Sequence, residues 1–238
     1  MKCLYANGDS WTFGEELNDG APDNFTFKYY NTWPFLLSQK LDIPICVNEA
    51  LGGGNNDRIV RKTIAFILDW VKREQDPKNL LVVLGWTGPE RFEVNFKSIT
   101  GNTMFASFTP TGIFNYTPKN VDDETNKLLE QFRECYYRLE EEDAANERFF
   151  NQMLQMRLFC KGLGISYYDF LAFSKLHAKC LRKMEKLHIK DHWKNFNSDF
   201  TFRDLLMREG WGIQQHGHPS KNAHAKWADI LAEKIQAL

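Results

Sequence analysis

The run Asn79–Trp86, NLLVVLGW, constrains the fold of this chain more than any other stretch of its sequence. It is apolar almost throughout and shows no alternation of apolar with polar residues. Strands of that kind are typical of a parallel sheet whose two faces are both covered by helices. Three shorter apolar segments predict further strands: residues 2–7, IPICVNEAL at 43–51 and GISYYDFLAF at 164–173.

Apolar residues recur at helical spacing in the segments that separate or follow these strands. The segments are residues 29–41, 59–71, 122–161 and the C-terminal stretch that starts at Pro219 and Ser220. Strands that alternate with helices predict an α/β fold, a three-layer α/β/α sandwich with a central parallel sheet. With no internal repeat or linker, we expect a single domain over residues 1–238. Irregular inserts are predicted near 88–120, as a small hairpin or a lid, and near 187–213.

Composition argues against several functional classes. Of 238 residues, 43% are hydrophobic and 26% charged, and the formal net charge is −1, so no overall positive field favours nucleic-acid binding. No apolar run approaches the roughly 18 residues of a membrane span. Neither a leader pattern nor a CxxC motif occurs, and the five cysteines are widely spaced, so we expect a soluble cytoplasmic protein with reduced thiols.

Three predicted strands end in residues that can do chemistry. They are followed by Gly8-Asp9-Ser10, by the glycine cluster at 52–56, and by Trp86-Thr87. Because the carboxyl ends of parallel strands share one edge of the sheet, we expect these segments to face one crevice. A serine hydroxyl needs a base before it can act as a nucleophile, and the segment QQHGHPSKNAH offers three histidines for that role. A glycine turn supplies backbone N–H groups for an oxyanion hole.

Each of these features has another interpretation. Asp9 or Ser10 is a good helix N-cap residue. The glycine cluster could be only a tight turn. It lacks the spacing and lysine of a phosphate-binding loop, which argues against a flavodoxin-like nucleotide binder. Histidines at 216, 218 and 224, with His188 and His192 spaced i, i+4, raise the alternative of a metal-dependent hydrolase.

The order of four segments resembles the SGNH, or GDSL-like, hydrolase family. The segments are NGDSWT, NEALGGGNNDRI, VVLGWTGPER and HGHPS, and they span nearly the whole chain. The resemblance implies a flavodoxin-like SGNH hydrolase fold. It also implies Ser10 as nucleophile, His218 as base and Gly53 as a donor to the oxyanion hole.

Two departures from the family pattern concern the site. Thr87 stands where the third segment has its oxyanion asparagine, and Trp86, Thr87 and Arg91 resemble a subgroup frequent in phage genomes. Gln215 stands where the last segment has an aspartate three residues before the histidine. Gln215 can orient the histidine ring without stabilising its charge, or a carboxylate at Asp199 or Asp204 can take that role.

The predicted function is therefore a serine esterase acting through a Ser10 acyl-enzyme on a small-molecule or glycan ester, with acetate on a carbohydrate as the favoured case. The catalytic candidates are Ser10, His218, Gly53, Thr87 and Gln215, and the substrate-binding candidates are Asp9, Asn56, Trp86 and Arg91. We expect no cofactor, no metal, no nucleic-acid partner and no membrane span, and the phage-type segment suggests a phage-encoded protein. The alternative from a different class is a catalytically degenerate member that binds a glycan or a protein.

Overall fold

The four predicted strands form one parallel sheet in the computed structural model, which describes residues 1–17, 25–115, 121–173 and 201–237. The strand order is β2-β1-β3-β7, which places β1 and β3 at the centre of the sheet and β2 and β7 at its edges. Every residue of β3 is buried, as its uninterrupted apolar sequence requires. The bounds are β1 Cys3–Asn7, β2 Ile45–Asn48, β3 Leu80–Trp86 and β7 Ser166–Leu171.

Alternate residues of these strands point to two separate cores. Cys3 and Tyr5 of β1 belong to one hydrophobic cluster, and Leu4 and Ala6 belong to the other. This alternation is the period of two that a pleated strand imposes. Both faces are apolar, so both must be covered by helices, and the predicted three-layer arrangement is confirmed.

Helices supply the outer layers. Residues of α4 and α6 complete the first core, and residues of α3, α7 and α8 complete the second. Among the described residues, no helix is long and apolar enough to cross a membrane. The bounds are α1 Ser10–Phe13, α2 Phe25–Asn31, α3 Trp33–Lys40, α4 Asn56–Lys72, a 3₁₀ turn Pro77–Asn79, α5 Asp123–Leu139, α6 Glu142–Gly162, α7 Phe202–Glu209 and α8 Lys221–Gln236.

The first insert contains a second, antiparallel sheet. Its three strands are β4 Phe92–Lys97, β5 Thr103–Thr109 and β6 Gly112–Phe114, in the order β4-β5-β6. Phe92 and Phe108 of this sheet pack against Leu129 of α5 in a small core of their own. The hairpin expected in this insert is therefore present as a three-stranded meander.

The second insert is only partly irregular. Residues 174–200 lie outside the described residues, but α7 follows directly, in a stretch predicted to be irregular. Thr201 and Asp204 form a reciprocal capping box, and Phe202, Leu205 and Leu206 are buried. The cap and the apolar spacing can both be read from the sequence. A Thr-x-x-Asp cap before apolar residues at helical spacing marks a helix start.

Candidate active site

Ser10 is held at the carboxyl end of β1 by a one-turn helix. The Asp9 carboxylate caps this helix by accepting the Trp11 N–H at 3.0 Å, and Gly14, at φ 81°, ends it. Gly8 lies so close to Thr12 that an added Cβ would sit 2.2 Å from its Oγ1. Capping therefore falls to Asp9, and the half-buried Ser10 remains available to face a cavity.

That cavity has a volume of about 780 Å³ and gathers residues from distant parts of the sequence. The segments after β1 and β2 line one part of it, and the β5–β6 hairpin and the loop before α8 line the rest. Of the three strand-end segments expected to face one crevice, those after β1 and β2 line the cavity, whereas Trp86 and Thr87 do not. The lining residues are Ser10, Phe13, Glu15, Glu16, Leu51, Gly52, Gly53, Arg91, Thr109, Thr111, Phe114, Asn115, His216 and His218.

Glu16 holds the ring of His218. The Glu16 Oε2 atom lies 2.8 Å from Nδ1 of His218, although the two residues are 202 positions apart in sequence. A carboxylate can only accept at this distance, so Nδ1 carries the proton and Nε2 of the neutral ring is left with a free lone pair. Among the described residues, no hydrogen bond joins the Ser10 hydroxyl to that ring.

Glu16 also holds the backbone of the loop that carries His218. The His216 N–H lies 3.1 Å from each carboxylate oxygen of Glu16, and the His218 N–H lies 3.4 Å from Oε2. Burial would raise the pKa of Glu16, but hydrogen bonds from the His218 ring and from these N–H groups outweigh it and lower the pKa. Glu16 is therefore an anion across the neutral range.

Glu16 adopts a backbone conformation that is unfavourable for its residue type. Its φ is 61°, in the left-handed region that costs a residue with a Cβ roughly 1–2 kcal/mol. The carboxylate reaches the His218 loop from this position. Strained backbone at a cluster of catalytic residue types is a recognised sign of a functional site.

Gly53 supplies a second backbone N–H to the cavity. Its φ is 64°, and a Cβ at this position would lie 2.7 Å from Cβ of Phe114 in strand β6. Within the described ranges, the Gly53 N–H donates no hydrogen bond to a backbone carbonyl of a turn or loop. The Ser10 N–H is at the first position of a helix and has no intrahelical acceptor. Both N–H groups are free to donate to a ligand.

Arg91 carries positive charge into the same region. Its Nη1 lies 3.7 Å from Oδ2 of Asp9 and 3.4 Å from the Gly54 carbonyl oxygen. Asp9 itself is fully buried, and this burial raises its pKa, while Arg91 and the Thr87 hydroxyl oppose part of that rise. Asp9 therefore cannot reach a ligand and serves as a cap and as a partner of Arg91, not as the substrate contact that we expected.

Three further candidates lie beneath the cavity wall. Asn56 is 1% exposed, and its side chain accepts the Thr87 N–H at 3.1 Å and donates to the carbonyl oxygens of Thr87 and Gly88. Thr87 is 2% exposed and does not line the cavity. Trp86 is fully buried and donates through Nε1 to Asp169 at 2.9 Å. Asn56 and Trp86 are structural residues here, and Thr87 is not placed to donate to an oxyanion.

Gln215 does not orient His218. It is exposed, and the position beside Nδ1 is occupied by Glu16. Of the two carboxylates considered as replacements, Asp204 is engaged in the cap of α7 and Asp199 lies outside the described residues. Sequence reasoning missed Glu16, and the available signal was the acidic pair Glu15-Glu16 directly after the glycine that ends α1.

The proposed histidine metal site is not assembled. His224 is completely buried, and its Nδ1 accepts the Trp33 N–H at 3.1 Å, so it points into the core and not towards His216 and His218. The i, i+4 pair at 188 and 192 lies outside the described residues. Within the ranges that the structure describes, no three His, Cys, Asp or Glu side chains are grouped to hold a metal ion.

Comparisons with known proteins agree with this fold. A family model described as "Family of unknown function (DUF6071)" matches residues 15–187. No curated protein sequence matches the chain. A carbohydrate esterase family 2 enzyme with a carbohydrate-binding domain, from Corynascus thermopiles (Myceliophthora fergusii), is similar over 99% of this chain and 66% of its own, with a TM-score of 0.51 and 11% identity.

Two other solved structures are similar at slightly lower TM-scores. A protein assigned to the lipolytic G-D-S-L family from Desulfitobacterium hafniense DCB-2 is 16% identical over 100% of both chains, with a TM-score of 0.49. A family two carbohydrate esterase from Cellvibrio japonicus is 14% identical over 99% of this chain and 61% of its own, also at 0.49. At these identities the likeness concerns the fold.

Proposed function

We propose that this chain, which belongs to the DUF6071 family and has an esterase-like α/β/α fold, is a serine ester hydrolase. One observation carries the proposal: a carboxylate-held histidine, Glu16–His218, lines the same cavity as Ser10. A nucleophile, a base and an orienting acid are the three groups of a serine-hydrolase triad, whose roles recur independently of sequence order.

In the proposed reaction, Ser10 Oγ attacks the ester carbonyl while Nε2 of His218 takes its proton. Glu16 keeps Nδ1 protonated and stabilises the imidazolium that forms. The N–H groups of Ser10 and Gly53 donate to the tetrahedral oxyanion. His218 then protonates the departing alcohol, and the same histidine activates a water molecule that hydrolyses the acyl-enzyme.

The Ser10–His218 hydrogen bond must form when substrate binds, because the two groups are not bonded in the free protein. Catalytic hydrogen bonds in free enzymes are often long and shorten only in the substrate complex. A protein that has lost catalysis and only binds a ligand is the competing function, and this open contact is the observation that favours it.

The cavity favours a short acyl group on a polar alcohol such as a carbohydrate. Its volume of about 780 Å³ is that of a small-molecule site. The hairpin wall presents Thr111 and Asn115, whose side chains can bond to hydroxyl groups, next to the ring of Phe114. The hydroxyl of the buried Thr109 is already bonded within the turn. A long acyl chain would need an apolar channel, which this mixed lining does not provide.

Labelling with a fluorophosphonate probe tests the proposal. Ser10 should be modified in the folded protein, and modification should disappear in Ser10→Ala and fall strongly in His218→Ala. Ser98→Ala, in the β4–β5 turn and outside the cavity, is the matched control and should be labelled normally. If the intact protein is not labelled but binds acetylated or free oligosaccharides, the binding function replaces the esterase.

A further inference from the structure

The guanidinium of Arg91 lies where the two segments that offer free N–H groups meet. Asp9, 3.7 Å from Nη1, directly precedes Ser10, and Gly54, whose carbonyl oxygen is 3.4 Å from Nη1, directly follows Gly53. The two segments are in contact, since a Cβ added to Gly54 would lie 3.4 Å from Cα of Asp9. Arg91 therefore reaches across the junction at which a bound oxyanion would be held.

Arg91 has hydrogen-bonding capacity that the described residues do not use. A guanidinium has five N–H donors. The Nε atom is buried without a hydrogen-bond partner, and its nearest carboxylate, on Glu90, is 3.9 Å away. The contact of Nη1 with Asp9 is also longer than a hydrogen bond. Nη2 makes no hydrogen bond to the described residues and is not buried, so it is the donor of Arg91 that remains for a ligand.

Thr87 supplies no side-chain hydrogen-bond donor to the cavity, and Arg91 is placed to supply one. Thr87 is 2% exposed and lies outside the cavity lining, whereas Arg91, four residues later, lines it. Among the described residues that line the cavity, Arg91 is the one arginine, and no lysine accompanies it. Developing negative charge at the ester oxygen would be stabilised most strongly by such a cation, because charge-assisted hydrogen bonds are about twice as strong as neutral ones.

We propose that Arg91 is a catalytic residue that donates to the oxyanion together with the N–H groups of Ser10 and Gly53. The inference rests on the proposed esterase function and adds a residue to it. The Asp9 carboxylate and the Gly54 carbonyl hold the guanidinium beside the two segments that carry these N–H groups. This role differs from recognition of an anionic group elsewhere on the substrate, which would change KM for anionic esters and leave the turnover of neutral ones unchanged.

The rate of fluorophosphonate labelling measures this role without knowledge of the natural substrate. Ser10 Oγ bonds to phosphorus as the P–F bond breaks, fluoride departs, His218 takes the serine proton, and negative charge builds on the phosphoryl oxygen. Loss of one oxyanion donor slows an acyl-transfer enzyme by about 10²- to 10³-fold. Arg91→Met should therefore slow labelling by about 100-fold. Arg91→Lys keeps the charge but not the planar donors, so its labelling rate should lie between those of the wild type and Arg91→Met.

Arg208→Met, which removes an exposed arginine of α7, is the control and should be labelled at the wild-type rate. Because Arg91 also bridges two loops, its variants could lose structure, and Arg91→Ala with added guanidinium separates the two effects. Rescue of the labelling rate with no change in melting temperature supports the catalytic role. Rescue of melting temperature alone would overturn it.

Two further results would overturn the inference and leave the esterase intact. One is labelling of Arg91→Met within threefold of the wild-type rate. The other is a defect confined to KM for an anionic ester, p-nitrophenyl hemisuccinate, with turnover of p-nitrophenyl acetate unchanged, which would identify an anion-recognition residue. Absence of labelling in the wild-type protein would instead refute the proposed function itself.

Discussion

Replacing Glu16 with glutamine should separate a carboxylate-supported serine–histidine pair from one that acts alone. The substitution preserves side-chain size but removes the charge that faces the His218 ring at 2.8 Å. Two charges about 4 Å apart interact by about 4 kcal/mol at an effective dielectric constant of 20, and by less where water screens them. The Glu16 side chain is 17% exposed, so some screening applies.

We therefore expect the imidazolium to lose about 2–4 kcal/mol of stabilisation in Glu16→Gln, which corresponds to a fall in kcat of roughly 30- to 1,000-fold. Glutamine can also present its amide N–H₂ to Nδ1 and favour the wrong tautomer, which adds to the loss. The assay is kcat on p-nitrophenyl acetate together with the rate of fluorophosphonate labelling. KM should change little, because Glu16 acts through His218.

Glu16→Asp should recover part of the lost rate, since it restores the charge, and Glu130→Gln, on the exposed side of α5, is the matched control.

The pH dependence of stability provides a second readout. The folded pKa of Glu16 lies below its ordinary value of 4.5, so its contribution to stability is present above that value and is lost as pH falls through the folded pKa. Glu16→Gln should remove this acid-range loss. A kcat within threefold of wild type would refute the positioning role.

Three further substitutions test the packing around the site. Gly53→Ala should lower the free energy of unfolding by about 1–2 kcal/mol, because φ is 64° and a Cβ meets Phe114. In a Phe114→Gly background, which lacks the clashing Phe114 Cβ, the same substitution should cost only the backbone part in urea titrations. Burial lowers the pKa of His224 to about 3, so the unfolded chain binds a proton at higher pH than the folded one. The free energy of unfolding should therefore fall by about 1.4 kcal/mol for each pH unit as pH drops from 6.5 towards 3. In His224→Asn the melting temperature should depend less on pH over this range, and an unchanged slope would contradict this. Asp169→Asn should cost about 3–5 kcal/mol in chemical denaturation, because it breaks the buried ion pair between Asp169 and Arg157. A loss below about 1 kcal/mol would show the pair to be dispensable.

Much of the fold could be predicted from local pattern. The buried strand at 80–86 follows from an unbroken apolar run, and the helices that cover it follow from their periodicity. The position of Ser10 at a strand end and the turn at Gly53 were visible for the same reason, because backbone preferences and apolar patterning act over a few residues. The helix at 202–209 was missed although its cap was present in the sequence.

The partners of the site residues could not be predicted in this way. Glu16, not Gln215, lies beside His218, and 202 positions separate the two in sequence. Trp86 and Asn56 were plausible ligand contacts until the structure placed both under the cavity wall, each bonded to a residue far along the chain.

The sequence by itself determined the parallel sheet, the serine at the end of β1 and the glycine turn after β2. Only the tertiary structure decided which carboxylate orients His218, that Thr87 is buried, and that Arg91 reaches the junction of the two N–H segments. The physical reason is the distance along the sequence over which each effect acts. Propensity and periodicity are properties of neighbouring residues, whereas a carboxylate–imidazole contact depends on how distant loops pack after the whole sheet has formed.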